Sequence, residues 1–265
     1  MNEPKKKFKL VTDTQARMIL PNTLTLIGVC VGLSSINFAL NQRYEIAIIA
    51  ILFAAIIDGL DGRIARLIRG TSKVGKELDS LTDVISFGVA PAFIMYFWTL
   101  NTLGKIGWLL SLIYVVCVAL RLARFNVNSN DEPSWRDNFF EGVPSPAGGI
   151  LILMPLIYSF SGFDTVKVNF ENVVPIFFIT ISILLISKVP TYSLKKIIVP
   201  RSMTIFLLFT VVLFFGLLLV YTFKVIFISG IIYLCLVPIS IVHYFRLNKK
   251  NINNIKSEDN HEDIL

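Results

Sequence analysis

The sequence predicts an all-α integral membrane protein with about eight transmembrane helices and both termini in the cytoplasm. Three observations predict it. The 265 residues are 54% hydrophobic and their mean hydropathy is +0.69, too apolar for a soluble domain of that length. The chain carries repeated apolar runs of roughly 18 residues or more, the length that crosses a bilayer as a helix. Lys and Arg are also segregated. With both termini inside, 21 of the 25 basic residues fall on cytoplasmic segments, and only Arg43, Lys105, Lys167 and Lys224 fall outside. That asymmetry sets the orientation and calls for an even number of spans.

In chain order, residues 1–21 form a basic lead with Lys5, Lys6, Lys7, Lys9 and Arg17. Phe8, Leu10, Val11, Met18 and Ile19 suit either a segment lying along the membrane surface or a plain positive-inside anchor. The apolar run that follows is long and lacks a small-residue cleavage site, so no cleavable signal peptide is expected. Pro21 and Asn22 open the first span, 22–41, in a common helix-starting arrangement. The second span, 45–62, ends in Asp58 and Asp61; the third, 82–100, starts beside Asp79 and Asp83. The fourth is 105–122. The fifth, 147–161, is short and contains Pro155. The sixth, seventh and eighth are 172–190, 203–221 and 224–244. The largest inside loop, 123–146, has the Asn, Asp, Pro and Gly content of irregular backbone. Residues 247–265 are polar and mixed in charge and read as a disordered tail.

The net charge of +7 fits contact with anionic lipid headgroups of the cytoplasmic leaflet rather than nucleic acid. Cys30, Cys117 and Cys235 all fall in apolar spans without metal or redox spacing and read as packing residues. His243 and His261 have no partner in reach by spacing, and neither is given a role.

Chemistry concentrates in IIDGLDGRIARLIRGTSKVGKELDSLTDVISFG. Charge inside a bilayer is costly, about 2.5–3.5 kcal/mol at its centre on insertion scales, and such residues mark functional sites. Asp58 and Asp61 are spaced i, i+3 and share one helix face; Asp79 and Asp83, at i, i+4, share another. Two helices joined by a cytoplasmic turn bring the pairs together. Four carboxylates so close repel one another unless a cation lies between them, and all-oxygen ligation suits a hard ion such as Mg2+ or Mn2+. Gly59, Gly62 and Ala65 clear side chains from the acidic face, and Gly75 lies one turn before Asp79. Glycine costs a helix about 0.8–1.0 kcal/mol relative to alanine, so these residues point to close approach of a ligand. Packing of membrane helices is the plainer use of such glycines. Arg66 is placed to meet a phosphate oxygen.

The pattern Asp58-Gly-Leu-Asp61-Gly62-Arg-Ile-Ala65-Arg66, eight residues, Gly75, three residues, Asp79, three residues, Asp83 resembles the complete signature of the CDP-alcohol phosphotransferases. The resemblance implies an Mg2+- or Mn2+-dependent reaction, with two ions, in which an acceptor hydroxyl attacks the phosphoryl group of a CDP-linked lipid and CMP leaves. It implies Asp58, Asp61 and Asp79 as metal ligands, with Asp83 completing the metal site, acting as general base, or both. Gly62, Ala65, Arg66 and Gly75 would line the cytidine and phosphate pocket. Asn22 and Thr25, in PNTLT, resemble the family's PN-x-x-T segment and would close the nucleotide site, unless they serve only as a helix cap. The implied domain plan is a cytoplasmic lead 1–21, one transmembrane catalytic domain 22–246 and a tail 247–265, in the inner membrane with the active site at the cytoplasmic face. A homodimer is the family expectation.

Arg121-Leu-Ala-Arg124-Phe125-Asn126, Gly142-Val-Pro-Ser-Pro-Ala147 and Ser187-Lys-Val-Pro-Thr191 resemble segments of the bacterial membrane-type phosphatidylserine synthases. That implies CDP-diacylglycerol as donor and L-serine as acceptor, ahead of glycerol 3-phosphate, inositol or its phosphate, and choline. Arg121 and Arg124 would hold the serine carboxylate or the lipid phosphate, or else snorkel to the interface as anchors. The same holds for Lys188, Lys195 and Lys196, with Lys195 favoured by the resemblance. A cation-coupled transporter is the rival class, and it would place acidic residues near the midplane of several spans.

Overall fold

A computed structural model describes residues 13–68, 70, 72–128, 139–163, 168–192 and 203–262. Its helices are α1 (Asp13–Leu40), α2 (Tyr44–Leu67), α3 (Lys73–Asp83), α4 (Ala90–Trp98), α5 (Lys105–Asn128), α6 (Ser145–Ile152), α7 (Met154–Phe160), α8 (Phe170–Ile186), α9 (Thr204–Val220) and α10 (Thr222–Glu262). A π-helical segment, Val84–Val89, joins α3 to α4. A helix therefore occupies each of the eight expected places. Among the described residues, four segments are long and apolar enough to cross a membrane: Ile19–Leu40, Lys73–Trp98, Lys105–Val127 and Thr222–Leu247. α2 has the length, at 24 residues, but its end is charged. Large apolar side chains such as Leu33, Phe53, Leu109, Val116, Ile176 and Ile183 are exposed on the helices' outer faces. The chain is embedded in a membrane, where such faces meet lipid.

Several boundaries differ from the sequence reading. α1 starts at Asp13 and carries Pro21 inside it, since a long helix tolerates one missing N–H where neighbours re-satisfy the backbone. The expected fifth span is two short helices, broken at Leu153 ahead of Pro155, and buried within protein: Leu151, Ile152, Leu156 and Ile157 are each at most 2% exposed. α10 continues to Glu262 where a disordered tail was expected over 247–265. Extending a nucleated helix is much easier than starting one, and no Gly or Pro follows Pro238. The chain is not wholly helical either. Within the loop read as irregular, β1 (Phe139–Glu141) pairs antiparallel with β2 (Pro190–Tyr192), Phe140 opposite Thr191. Lys195, Lys196 and the basic residues Lys5, Lys6, Lys7 and Lys9 lie outside the described residues.

α1 braces the site by packing along both α2 and the α3–π–α4 segment. Gly28 and Gly32, one turn apart on α1, permit this approach. A Cβ on Gly32 would lie 2.6 Å from Ser86 Oγ and 3.0 Å from Ser86 Cα, and Ser86 Oγ donates to the Gly28 carbonyl at 3.2 Å. The π segment is closed on its far side by α5. Pro91 has no N–H to offer the Phe87 carbonyl one turn back; Tyr114, fully buried, donates its hydroxyl to that oxygen at 2.9 Å. Phe87, Tyr114, Phe178, Ile48 and Met95 belong to the core that fills the space between these helices. α9 stands apart: none of its residues is buried. Of the three free cysteines, Cys117 is buried while Cys30 and Cys235 are exposed.

Candidate active site

Asp58 and Asp61 arrive on the last turns of α2. The helix buries a stripe of Ala47, Ile48, Ile51, Ala54, Ile57 and Asp61, so the same periodicity that seats the core carries Asp61 inward, to 4% exposure. A short turn follows, closed by Gly70 N–H donating to the Ala65 carbonyl at 2.9 Å. Ser72 then caps α3, its side chain accepting from Gly75 N–H at 2.9 Å, which is the usual N-cap contact. α3 delivers Asp79 and Asp83 one turn apart. Asp83 is 8% exposed and directly precedes the π segment; single π turns of this kind recur at functional sites.

One carboxylate oxygen from each of Asp58, Asp61 and Asp79 lies within 4.8 Å of the others. Three hard oxygens at that spacing could hold a divalent metal. Asp83 adjoins this triad, its carboxylate facing Asp58, and among the described residues its buried Oδ1 has no hydrogen-bond partner. A buried, unpartnered carboxylate oxygen beside three others is what a bound cation would satisfy, so the donor set fits the group the sequence implied.

A cleft of about 180 Å³ opens from the triad, lined among others by Asn22, Thr25, Asp61, Gly62, Ala65, Gly75 and Asp79. Sequence reasoning named all seven. Thr25, 4% exposed, donates its hydroxyl to Asp61 Oδ2 at 2.7 Å and also lies 3.0 Å from the Pro21 carbonyl, so it orients the Asp61 carboxylate and is more than a helix cap. A Cβ on Gly59 or Gly62 would meet no atom within 4 Å; these glycines keep space open and do not pack helices together. Gly75 is different, since a Cβ there would lie 2.9 Å from Asn22 Oδ1 and 3.0 Å from Ser72 Oγ. Lys76 also lines the cleft, a cation counted in the sequence only as part of the positive-inside pattern.

The arginines divide. Arg66 is exposed and folds along its own helix, Nε donating to the Gly62 carbonyl at 3.0 Å. Arg124 is turned to the end of α8, where Nη1 and Nη2 donate to the carbonyls of Ile186 (2.6 Å) and Ser187 (3.2 Å); it caps a helix C-terminus. Arg121 is 7% exposed and faces the site, Nη1 donating to Ser145 Oγ at 3.0 Å. Ser145 in turn donates to Asp83 Oδ2 at 2.6 Å. Tyr233 of α10 brings its buried hydroxyl beside Thr191 and near Arg121. The sequence singled out the segment that holds Ser145 without giving the serine a role, and it gave no sign of Tyr233. A serine in a Pro-Ser-Pro segment and a tyrosine in an apolar span carry no spacing signal toward Asp83, and only the fold brings them there.

The sequence matches known proteins. Residues 18–187 fit the CDP-alcohol phosphatidyltransferase family. A CDP-diacylglycerol–serine O-phosphatidyltransferase of Mycobacterium leprae (strain TN) is 37% identical over 227 residues, covering 84% of this chain and 74% of that protein. Proteins of the same name are 35% identical in Helicobacter pylori (strain ATCC 700392 / 26695), over 68% of this chain and 74% of that one, and 35% identical in Bacillus subtilis (strain 168), over 53% and 77%. The four aspartates and the cleft all fall inside the matched span, and the chain belongs to the CDP-alcohol phosphatidyltransferase family.

Proposed function

We propose that this protein transfers the phosphatidyl group of CDP-diacylglycerol to L-serine, giving phosphatidylserine and CMP. The observation that carries the reading is the convergence of three carboxylate oxygens within 4.8 Å at the head of a cleft cleared by Gly62 and Ala65. That arrangement suits a diphosphate whose charge must be neutralised before an oxygen can attack it. Asp58, Asp61 and Asp79, with Asp83 Oδ1, would hold two Mg2+ or Mn2+ ions, which supply positive charge to the phosphoryl oxygens as the bond order changes. The serine hydroxyl oxygen bonds to the phosphorus of the phosphatidyl group, the P–O bond to CMP breaks, and CMP departs with the bridging oxygen. Asp83 is the group placed to take the hydroxyl proton.

Serine is favoured by the named relatives and by Arg121. A buried guanidinium beside Asp83 suits an acceptor bearing an anionic group and opposes a cationic one such as choline. We infer further that the chain crosses the inner membrane eight times, with residues 22–246 as one catalytic domain, the site at the cytoplasmic face, anionic lipids around it and a second copy as partner. The 21-to-4 partition of basic residues supports that orientation.

The test is transfer of isotope-labelled serine into the lipid extract by purified protein supplied with CDP-diacylglycerol, with glycerol 3-phosphate, inositol and choline in parallel. Labelled phosphatidylserine is expected. Label transferred only from another acceptor would keep the metal site and overturn the choice of serine.

A further inference from the structure

Ser145 stands where the β1–β2 ribbon passes into α6. Its side chain is 1% exposed, and its hydroxyl has two committed partners: it donates to Asp83 Oδ2 at 2.6 Å and accepts from Arg121 Nη1 at 3.0 Å. A serine hydroxyl has a single proton, and an arginine can only donate. With Arg121 on its lone pair, the Ser145 proton must point at Asp83. The two Asp83 oxygens are thereby made unlike: Oδ2 accepts from Ser145, while Oδ1 is buried and has no hydrogen-bond partner among the described residues.

The backbone that carries Ser145 is held from several sides. Gly142 adopts φ +76, its N–H donates to the Val189 carbonyl at 2.8 Å, and Thr191 Oγ1 donates to the Gly142 carbonyl at 2.7 Å. Pro144 and Pro146 flank the serine and restrict the chain on either side. The hydroxyl is presented by a braced turn.

We propose that Ser145 is a positioning residue for phosphatidyl transfer: backed by Arg121, it pins Asp83 Oδ2 and so leaves Oδ1 as the single oxygen that faces the metal site and the acceptor hydroxyl. This rests on the function proposed above. A carboxylate with both oxygens free can rotate about its last torsion, chelate one ion with both oxygens, or bridge two. Held at Oδ2 by Ser145, the Asp83 carboxylate keeps one orientation.

The experiment uses the full-length protein in detergent with CDP-diacylglycerol, L-serine and Mn2+, comparing wild type with Ser145→Ala, Ser145→Cys and Ser145→Thr, each checked for monodispersity. Ser145→Ala and Ser145→Cys are expected to lower kcat about 10- to 100-fold, the usual range for losing a partner that orients a metal-site ligand. The KM for CDP-diacylglycerol should stay within about two-fold, because uniform binding is untouched, while Mn2+ titrated into metal-free protein without substrate should bind about ten-fold more weakly to the Ala and Cys variants than to wild type. Ser145→Thr, which keeps the donor, should retain most of the wild-type kcat. Unchanged kcat in the Ala and Cys variants would overturn the proposal. So would equal losses in folded Thr and Ala variants, or a loss confined to the KM for CDP-diacylglycerol. Should Ser145→Ala not survive purification, the nearly isosteric Ser145→Cys decides by the same criterion. Wild-type protein that makes no phosphatidylserine would sink the functional reading; wild-type turnover with unaffected variants would sink only the role of Ser145.

Discussion

Thr25 and Gly62 show how single residues of the cleft divide the work. The Thr25 hydroxyl reaches Asp61 Oδ2 at 2.7 Å, and a partner that orients a ligand oxygen in this way is typically worth about 10- to 100-fold in metal affinity or activity. Thr25→Val should therefore raise the Mn2+ concentration needed for half-maximal turnover by about ten-fold, with saturating Mn2+ restoring much of the rate; an unchanged metal requirement would leave Thr25 a purely structural residue. At Gly62 a side chain would enter open space, so Gly62→Val should leave the fold intact and obstruct the nucleotide, lowering kcat/KM for CDP-diacylglycerol without lowering the melting temperature in detergent. Asp83→Asn should abolish turnover in a protein that still purifies as a folded species, and substantial activity in it would remove Asp83 from the mechanism. The acidic residues were readable because their spacing is itself the signal. Asp58 with Asp61 and Asp79 with Asp83 share helix faces whatever the rest of the chain does. Arg124 was not readable in the same way: an i, i+3 partner of Arg121 looks equivalent to it, and only the arrival of α8 shows its donors engaged by Ile186 and Ser187.

At the scale of elements, the π segment Val84–Val89 is the structural pivot of the site. It is gripped by Gly28 and Gly32 of α1 and by Tyr114 of α5, and Asp83 immediately precedes it. Removing the Tyr114 hydroxyl leaves the Phe87 carbonyl without its donor in a buried place, at a cost of about 1–3 kcal/mol. Tyr114→Phe should accordingly lower the melting temperature in detergent, and a variant as stable as wild type would show that Phe87 finds another donor. Arg124→Ala should likewise loosen the end of α8 and reduce stability while the KM for serine stays within about two-fold. A ten-fold rise in that KM at unchanged stability would return Arg124 to the acceptor site. The π segment and the break at Leu153 were hidden from sequence. The Phe87 carbonyl that Pro91 cannot serve is answered by Tyr114 from another helix, and α6 and α7 are seated by burial against their neighbours, so both depend on tertiary contacts.

For the whole molecule, hydropathy located a helix at every expected place because each apolar run must satisfy its own backbone in lipid. Hydropathy cannot distinguish a lipid-facing run from one buried in protein, which is why neither the burial of α6 and α7 nor the break between them was visible in the sequence. The β1–β2 ribbon escaped notice because two three-residue strands separated by about fifty positions leave no periodic trace. The proposed orientation makes a labelling prediction. In protein whose native cysteines are replaced, a single cysteine at Asn101 should react with an impermeant thiol reagent applied from outside intact cells, and one at Lys188 should react only after permeabilisation. The reverse pattern would invert the topology and move the aspartates to the other face of the membrane.

The central claim is that four aspartates hold divalent metal for phosphatidyl transfer to serine. Its most direct test is CMP release by purified protein with CDP-diacylglycerol and L-serine, measured as prepared, after chelation, and after return of Mg2+ or Mn2+. Release that requires serine, is lost on chelation and returns with metal is the expected result. Serine-dependent release that survives complete chelation, or no release at all from folded protein given metal, would contradict it.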